Sequence, residues 1–146
     1  MAITSAICNS FKQEILEAEH NFTASTGNTF NLALYTSSAT LGAGTTAYTT
    51  TEEITNTSGT AYTAKGKALT SVTQTLDSST AVCDFADVSW TSASFTANGC
   101  LIFNDSHSTD AAVCAIAFGG DKTVSSGTFT IQFPAAAATT AIIRIA

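Results

Sequence analysis

The two histidines of the chain, His20 and His107, are the first candidates for chemistry. His107 lies in residues 104–110 with serines and aspartates, so a Ser-His-Asp hydrolase triad is one interpretation. Such triads are assembled from distant segments, with the serine on a strained turn. Here the residue types are neighbours in a polar loop, and no G-x-S-x-G motif is present. The pattern predicts no catalytic site, and we expect His20 to face solvent.

The same loop offers oxygen ligands for a cation in Asn104, Asp105 and Asp110. The ligand order of an EF-hand is missing, however. A second acidic pair, Asp84 and Asp87, would point to opposite faces of a strand. Polar residues at strand edges are the better interpretation of both groups. We therefore expect no metal site and no cofactor.

The four cysteines stand far apart in the chain and form no C-x-x-C motif. Cys83 and Cys114 lie in apolar, strand-like runs, where a free thiol packs as a small hydrophobe. We therefore expect buried thiols, although the sequence leaves a disulfide open.

Trp90 lies near three phenylalanines, Phe85, Phe95 and Phe103, and a sugar-stacking platform is one interpretation of this group. The aromatics alternate with other residues inside strand-like segments, which is the pattern of a buried sheet face. We therefore favour a place in the core for these four side chains.

Composition favours contacts with protein over binding of nucleic acid or membrane. Thr and Ser make up almost a third of the 146 residues, and charged residues 11%, against roughly 25% in an ordinary domain. Net charge is −6, and no cluster of Lys or Arg is available to bind phosphates or anionic lipids. No apolar run approaches the ~20 residues that span a bilayer. The N-terminus lacks the pattern of a secretory signal, so we expect synthesis in a cytoplasm.

The spacing of apolar residues predicts one N-terminal helix followed by a β-rich body. Apolar side chains recur at helical steps from Ile3 to Phe22, which predicts an amphipathic helix over residues 3–22. From Thr29 onward the period changes to two, which predicts strands. The predicted strands include residues 30–35, 67–76, 81–90, 92–97, 100–104, 112–118, 128–133 and 139–145. The turns between them include Asn98-Gly99, residues 119–122 and residues 77–80.

These elements predict one mainly β domain over residues 1–146. The expected architecture is a jelly roll or related antiparallel β-sandwich over residues 29–146, with one N-terminal amphipathic α-helix over residues 3–22. Residues 36–60 form a long, Thr-rich excursion, which is typical of a functional or partner-contacting segment.

Several stretches of the chain are distinctive when taken together: MAITSAICNSFKQEILEAEHNF, FNLALYTSSATLGAGTTAYTTTEEI, GTAYTAKGKAL and FGGDKTVSSGTFTIQFP followed by AIIRIA. In these stretches the chain resembles a family of small virion structural proteins of tailed bacteriophages. The resemblance implies a capsid decoration (cement) protein in the virion, made in the host cytoplasm and without enzymatic activity. It further implies a homotrimer that bridges neighbouring subunits of the major capsid protein.

Two features are expected to make the contacts that such a protein needs. The apolar face of the helix either docks on the capsid or a neighbouring subunit, or covers one end of its own sandwich. Residues 36–60 are expected near a trimer axis. The candidate contact residues are Ile7, Phe11, Ile15, Leu16, Leu41 and Tyr48.

Other positions in the particle and other classes of protein remain open at this point. The first alternative is a tail, head–tail junction or fibre component of the same particle. A receptor-binding module that uses Trp90 with residues 36–60 and 104–110 is a second alternative, and an enzyme is the third.

Overall fold

The computed structural model describes residues 2–55 and 57–146 and contains two antiparallel sheets and one short helix. The elements in chain order are β1 (Ala6–Ile7), α1 (Asn9–Glu14), β2 (Phe30–Tyr35), β3 (Lys67–Ala68), β4 (Thr73–Asp77), β5 (Thr80–Asp84), β6 (Val88–Asn104), β7 (Ala111–Ile131) and β8 (Ile143–Ile145). One sheet has the order β1-β7-β6-β2-β3 and the other the order β4-β5-β8. The prediction of a mainly β fold with an N-terminal helix is confirmed.

A single long hairpin, formed by β6 and β7, is the backbone of the larger sheet. The sequence predicts four separate strands here, with turns at Asn98-Gly99 and at residues 119–122. The two predicted turns are wrong, because both segments lie inside the long strands. The predicted polar loop is confirmed, since the chain reverses at residues 105–110.

Gly99 allows two segments of chain to approach closely and does not form a turn. A β-carbon at this position would lie 2.6 Å from the carbonyl oxygen of Ile116 and 2.8 Å from the side chain of Ile3. Such contacts are shorter than real β-carbons show, so only glycine fits here.

The Gly119-Gly120 segment forms a wide bulge in β7. Gly119 and Gly120 have φ angles of 73° and 137°, a region that glycine adopts readily. Residues 118–121 stand opposite the single residue Asn98, whose amide donates a hydrogen bond of 2.8 Å to Asp121 Oδ1. The glycines therefore bend a continuous strand instead of ending it.

The helix is much shorter than the predicted span of residues 3–22. Ile3 bridges Leu41, Ala6 and Ile7 pair with β7, and regular helix covers only Asn9–Glu14. A step of four residues keeps side chains on one face of a helix, but it is also two periods of a strand. The spacing from Ile3 to Ile7 therefore fits the extended conformation equally well.

Ala18 ends the helical turns in a left-handed conformation, with φ of 62°. The amide of Glu19 donates to the carbonyl of Glu14 at 3.0 Å and that of Ala18 to Ile15 at 3.4 Å, which is the hydrogen-bond pattern of a Schellman motif. Glycine is the usual residue at this position because its conformation there is unstrained.

Replacing Ala18 with Gly is therefore expected to raise the free energy of unfolding by about 0.5–1 kcal/mol. Urea denaturation of the variant and the wild type measures this difference. The same replacement at Ala24, which does not have a positive φ, serves as the control and should bring no gain. A loss of stability in the Ala18 variant would contradict the prediction.

Two of the predicted strands are each divided between the larger and the smaller sheet. The predicted strand 67–76 separates into β3 and β4, and the predicted strand 81–90 into β5 and the start of β6. Each pair of fragments belongs to different sheets. The predicted turn at residues 77–80 is confirmed as the connection between β4 and β5.

One core joins the two sheets and the helix. Phe11 from α1, Phe30 from β2 and Cys83 from β5 belong to the same buried cluster. Residues 36–55 also contribute buried side chains, including Leu41 and Ile54. The described part of the excursion over residues 36–60 is therefore folded onto the domain, and Asn56 lies outside the described residues.

All four cysteines are free and buried, as predicted. Burial raises the pKa of the Cys8 thiol to about 11 and that of Cys83 to about 12. At pH 8 about one Cys8 side chain in a thousand would be the reactive thiolate.

Ellman's reagent at pH 8 is therefore expected to detect no thiol in the native protein within minutes and all four after unfolding in guanidinium chloride. The unfolded sample is the internal control for the count. Rapid labelling of one thiol in the native protein would contradict the burial of the cysteines.

Candidate functional site

Three large hydrophobic side chains are exposed in the described chain, and all three lie on one surface. They are Leu16, with 87% of its surface exposed, Leu76 with 71% and Ile145 with 58%. Leu16 follows α1, Leu76 is in β4 and Ile145 is in β8. We call these three residues the apolar patch.

Strand pairing brings the members of the apolar patch together. Leu76 pairs with Ala81, and Ala81 pairs with Ile145. Leu76 and Ile145 therefore lie on the same face of the smaller sheet, with Ala81 between them. Ile145 and Leu16 line one groove. The patch therefore extends from the end of the helix across all three strands of the smaller sheet.

The groove between α1 and β8 has a volume of about 310 Å³. Most of its walls are aliphatic, and two cationic residues, Lys12 and Arg144, also line it. No acidic residue is among its lining residues, which are Ile7, Phe11, Lys12, Ile15, Leu16, Ile143, Arg144 and Ile145.

Four of the six predicted contact residues meet at this groove, and two do not. Leu16 is exposed, Ile7 and Ile15 are half-buried, and Phe11 is only 3% exposed. Phe11 therefore packs into the core and forms part of the floor of the groove. Leu41, also 3% exposed, and the half-buried Tyr48 do not line the groove.

Sequence reasoning missed Leu76 and Ile145. Both residues lie in segments that were predicted as strands, but a period of two does not show which face of a strand is covered. The sequence does hold one signal, in the segment AIIRIA. This segment has more aliphatic side chains than one face of a strand can hold, so some of them must lie outside a single buried face.

A larger groove, of about 690 Å³, runs along the outer side of β7. Its apolar walls come from side chains that are mostly half-buried. They include Ile116, Phe118, Val124, Phe129, Ile131 and Phe133, with Lys122 at the rim. None of the three members of the apolar patch lines this groove.

His20 is buried, contrary to the expectation that it faces solvent. Its Nε2 lies 2.8 Å from Glu14 Oε2, and its Nδ1 lies 3.2 Å from the amide nitrogen of Asn104. The Asn104 oxygen accepts a hydrogen bond from the amide of Ser106, so its nitrogen faces His20. An amide nitrogen only donates, hence Nδ1 accepts and Nε2 donates to Glu14. This arrangement ties the chain after α1 to the end of β6.

His107 caps its own loop. Its Nδ1 accepts a hydrogen bond from the backbone amide of Thr109 at 3.3 Å and lies 3.0 Å from the Thr109 hydroxyl. Its Nε2 lies 3.3 Å from Glu19 Oε2. Because the contact with Thr109 spans two residues, it stabilises a local turn within the loop.

The two aspartates of the loop bind a cation that the chain itself supplies. Lys65 Nζ lies 2.9 Å from Asp105 Oδ1 and 2.8 Å from Asp110 Oδ2. These hydrogen bonds raise the pKa of Lys65 above its usual range. Asn104 faces His20 instead, so the three potential ligands do not converge.

Glu53 links Tyr48, Tyr62 and Lys65 next to this ion pair. Its carboxylate accepts hydrogen bonds from the hydroxyls of Tyr48 and Tyr62 and from the amide of Lys65. Tyr48 is therefore engaged within the chain. Within residues 2–55 and 57–146, no three His, Cys, Asp or Glu side chains are placed to hold a metal ion.

Trp90 is a core residue, with 1% of its surface exposed. Its ring contacts those of Tyr62 and Phe129, at centroid distances of 6.0 and 6.3 Å. Phe85 and Phe103 are buried as well. The core interpretation is confirmed for Trp90, Phe85 and Phe103, whereas Phe95 is half-buried and packs against the core. The burial of Trp90 excludes a stacking platform built on its ring.

No protein-family model, curated protein or solved structure matches this chain. The described residues contain no helix that is long and apolar enough to cross a membrane.

Proposed function

We propose that this chain is a structural protein of a tailed-bacteriophage head, a capsid decoration protein that bridges subunits of the major capsid protein. It acts by burying surface, uses no cofactor and catalyses no reaction. Its place is the capsid of the virion, after synthesis in the host cytoplasm. The sequence resemblance and the weakly charged composition support this function.

The apolar patch is the observation that carries the proposal. Exposed hydrophobic residues scattered singly are ordinary, whereas a contiguous group marks a contact with another molecule. Full burial of a Leu or Ile side chain contributes about 1.5–3 kcal/mol. Leu16, Leu76 and Ile145 could together supply several such increments per copy, and symmetric repetition over a shell would multiply them.

The hydroxyl-rich exterior suits flat contacts between proteins. On the β6–β7 hairpin, Ser89 faces Thr130 at 2.7 Å and Thr96 faces Thr123 at 2.8 Å, oxygen to oxygen. Each pair uses one hydroxyl donor and one acceptor across the strands, and the second hydroxyl donor of the pair remains available to a partner that covers it. Such a surface also supports the proposed homotrimer. The jelly-roll relationship belongs to the same proposal, supported by two antiparallel sheets that share one core.

A particle reconstruction tests the function directly. Purified heads incubated with the protein are expected to show added density at the boundaries between capsid subunits, into which the fold fits with the apolar patch toward the shell. Sedimentation of the free protein is expected to give the mass of three chains. Density confined to the tail, or heads without added density, would overturn the proposal.

A further inference from the structure

The groove between α1 and β8 differs in charge from the rest of the molecule. The chain has a net charge of −6 and only five Lys and Arg residues. Two of these five, Lys12 and Arg144, line the groove, and no acidic residue does. The apolar patch therefore borders two cationic side chains on an acidic protein.

Both cations keep donors free for a partner. Lys12 Nζ contacts only Asn9 Oδ1, at 3.2 Å, in an exposed position. Arg144 Nη1 donates to the carbonyl of Ala138 at 3.1 Å, and the guanidinium has further N–H groups. The salt bridges of the described residues involve His20, His107 and Lys65, not these two cations.

We infer that this groove binds an apolar protein segment that carries at least one carboxylate. The aliphatic walls would bury the apolar side chains, and Lys12 and Arg144 would pair with the carboxylate at the rim. This inference rests on the proposed function and specifies the docking site on the capsid protein as apolar and acidic.

A second copy of this chain that docks through its own groove is a less suitable occupant than an acidic segment. A two-fold contact would place each groove against itself, which would bring Lys12 and Arg144 of both copies together. Like charges across an interface oppose association. Charge complementarity therefore selects a different surface as the occupant.

A pair of dyes isolates the role of charge. Anilinonaphthalene sulfonate is an apolar anion, and N-phenyl-1-naphthylamine has the same rings without the sulfonate. Replacing Leu16 with Ser should weaken binding of both dyes. Replacing Lys12 with Gln should weaken binding of the anion by about two- to fivefold and leave binding of the uncharged dye unchanged.

Lys122→Gln is the matched control, because Lys122 borders the other apolar groove, on β7. This variant should bind the anionic dye like the wild type. An effect of Lys122→Gln without an effect of Lys12→Gln would assign the anion to the β7 groove and overturn the inference.

Phage heads as a second probe separate the inference from the proposed function. Wild-type protein should bind heads, and Lys12→Gln should bind them about two- to fivefold more weakly, with the difference shrinking at high salt. Equal binding of the two proteins would overturn the inference and leave the function standing. If heads do not bind the wild-type protein, the proposed function is overturned. The dye experiment would still test whether the groove binds an apolar anion. A lower sedimentation mass of Leu16→Ser would show that a second copy occupies the groove, which also overturns the inference.

Discussion

Replacing Leu16 with Asp is expected to lower the affinity of the protein for phage heads by at least about 100-fold without unfolding it. Leu16 is 87% exposed, so the free protein loses no core packing. In the bound state the variant forfeits the burial of the leucine and places a carboxylate beside the carboxylate of the proposed partner segment, which together amount to about 3 kcal/mol or more. Co-sedimentation with purified heads measures the affinity.

Two control variants make this result specific. Thr26→Asp introduces the same charge at an exposed turn position outside residues 36–60, and it should bind heads like the wild type. Phe11→Asp places the charge in the core, where only 3% of the side chain is exposed, and it should unfold the protein. Unfolding of Leu16→Asp, or head binding that is equal for Leu16→Asp and the wild type, would contradict the role of the apolar patch.

Replacing Gly66 with Ala is expected to destabilise the protein by about 3–5 kcal/mol. A β-carbon at this position would overlap the carbonyl oxygen of Leu32, which belongs to β2, an interior strand of the larger sheet. Gly66 also has a φ of 66°, where an L-residue is strained by about 1–2 kcal/mol. The backbone of β2 would have to move, and its pairing with β3 and β6 would be disturbed.

Two other glycines separate the clash from the backbone conformation. Gly59 has a φ of 89° with no atom within 4 Å of an added β-carbon, so Gly59→Ala should lose only about 1 kcal/mol. Gly44 has open space and no positive φ, and Gly44→Ala should be neutral or slightly stabilising. Urea midpoints of the three variants measure the order, and a Gly66 variant as stable as that of Gly59 would contradict the close approach.

The turn chemistry of a sequence identifies where a chain can bend, not where it does. Asn98-Gly99 is a strong hairpin signal, yet these residues lie inside β6, where Gly99 pairs with β2 on one side and β7 on the other. Ile3 also packs where a β-carbon of Gly99 would stand. The contact joins residues almost a hundred positions apart, and no local pattern reports it. By contrast, the turn at residues 77–80 agrees with prediction, since a two-residue reversal depends on local conformation alone.

The histidines illustrate the same limit at the level of side chains. His20 follows a helix with several charged residues, which favoured an exposed position. Its burial depends on Asn104, which β6 places beside it and whose amide completes the hydrogen bonds of the ring. A polar side chain can be buried where tertiary partners satisfy it. His107 and Lys65 likewise find partners that the sequence does not bring near them.

The sequence by itself determined the mainly β character, the buried thiols and the weakly charged, hydroxyl-rich composition, because these follow from residue type and short-range period. Tertiary structure alone decided that Leu16, Leu76 and Ile145 share one surface, that Phe11 lies buried beneath it and that Leu41 does not line its groove. The physical reason is that strand pairing and core packing join segments distant in the chain, and the free energy of those contacts depends on the whole fold.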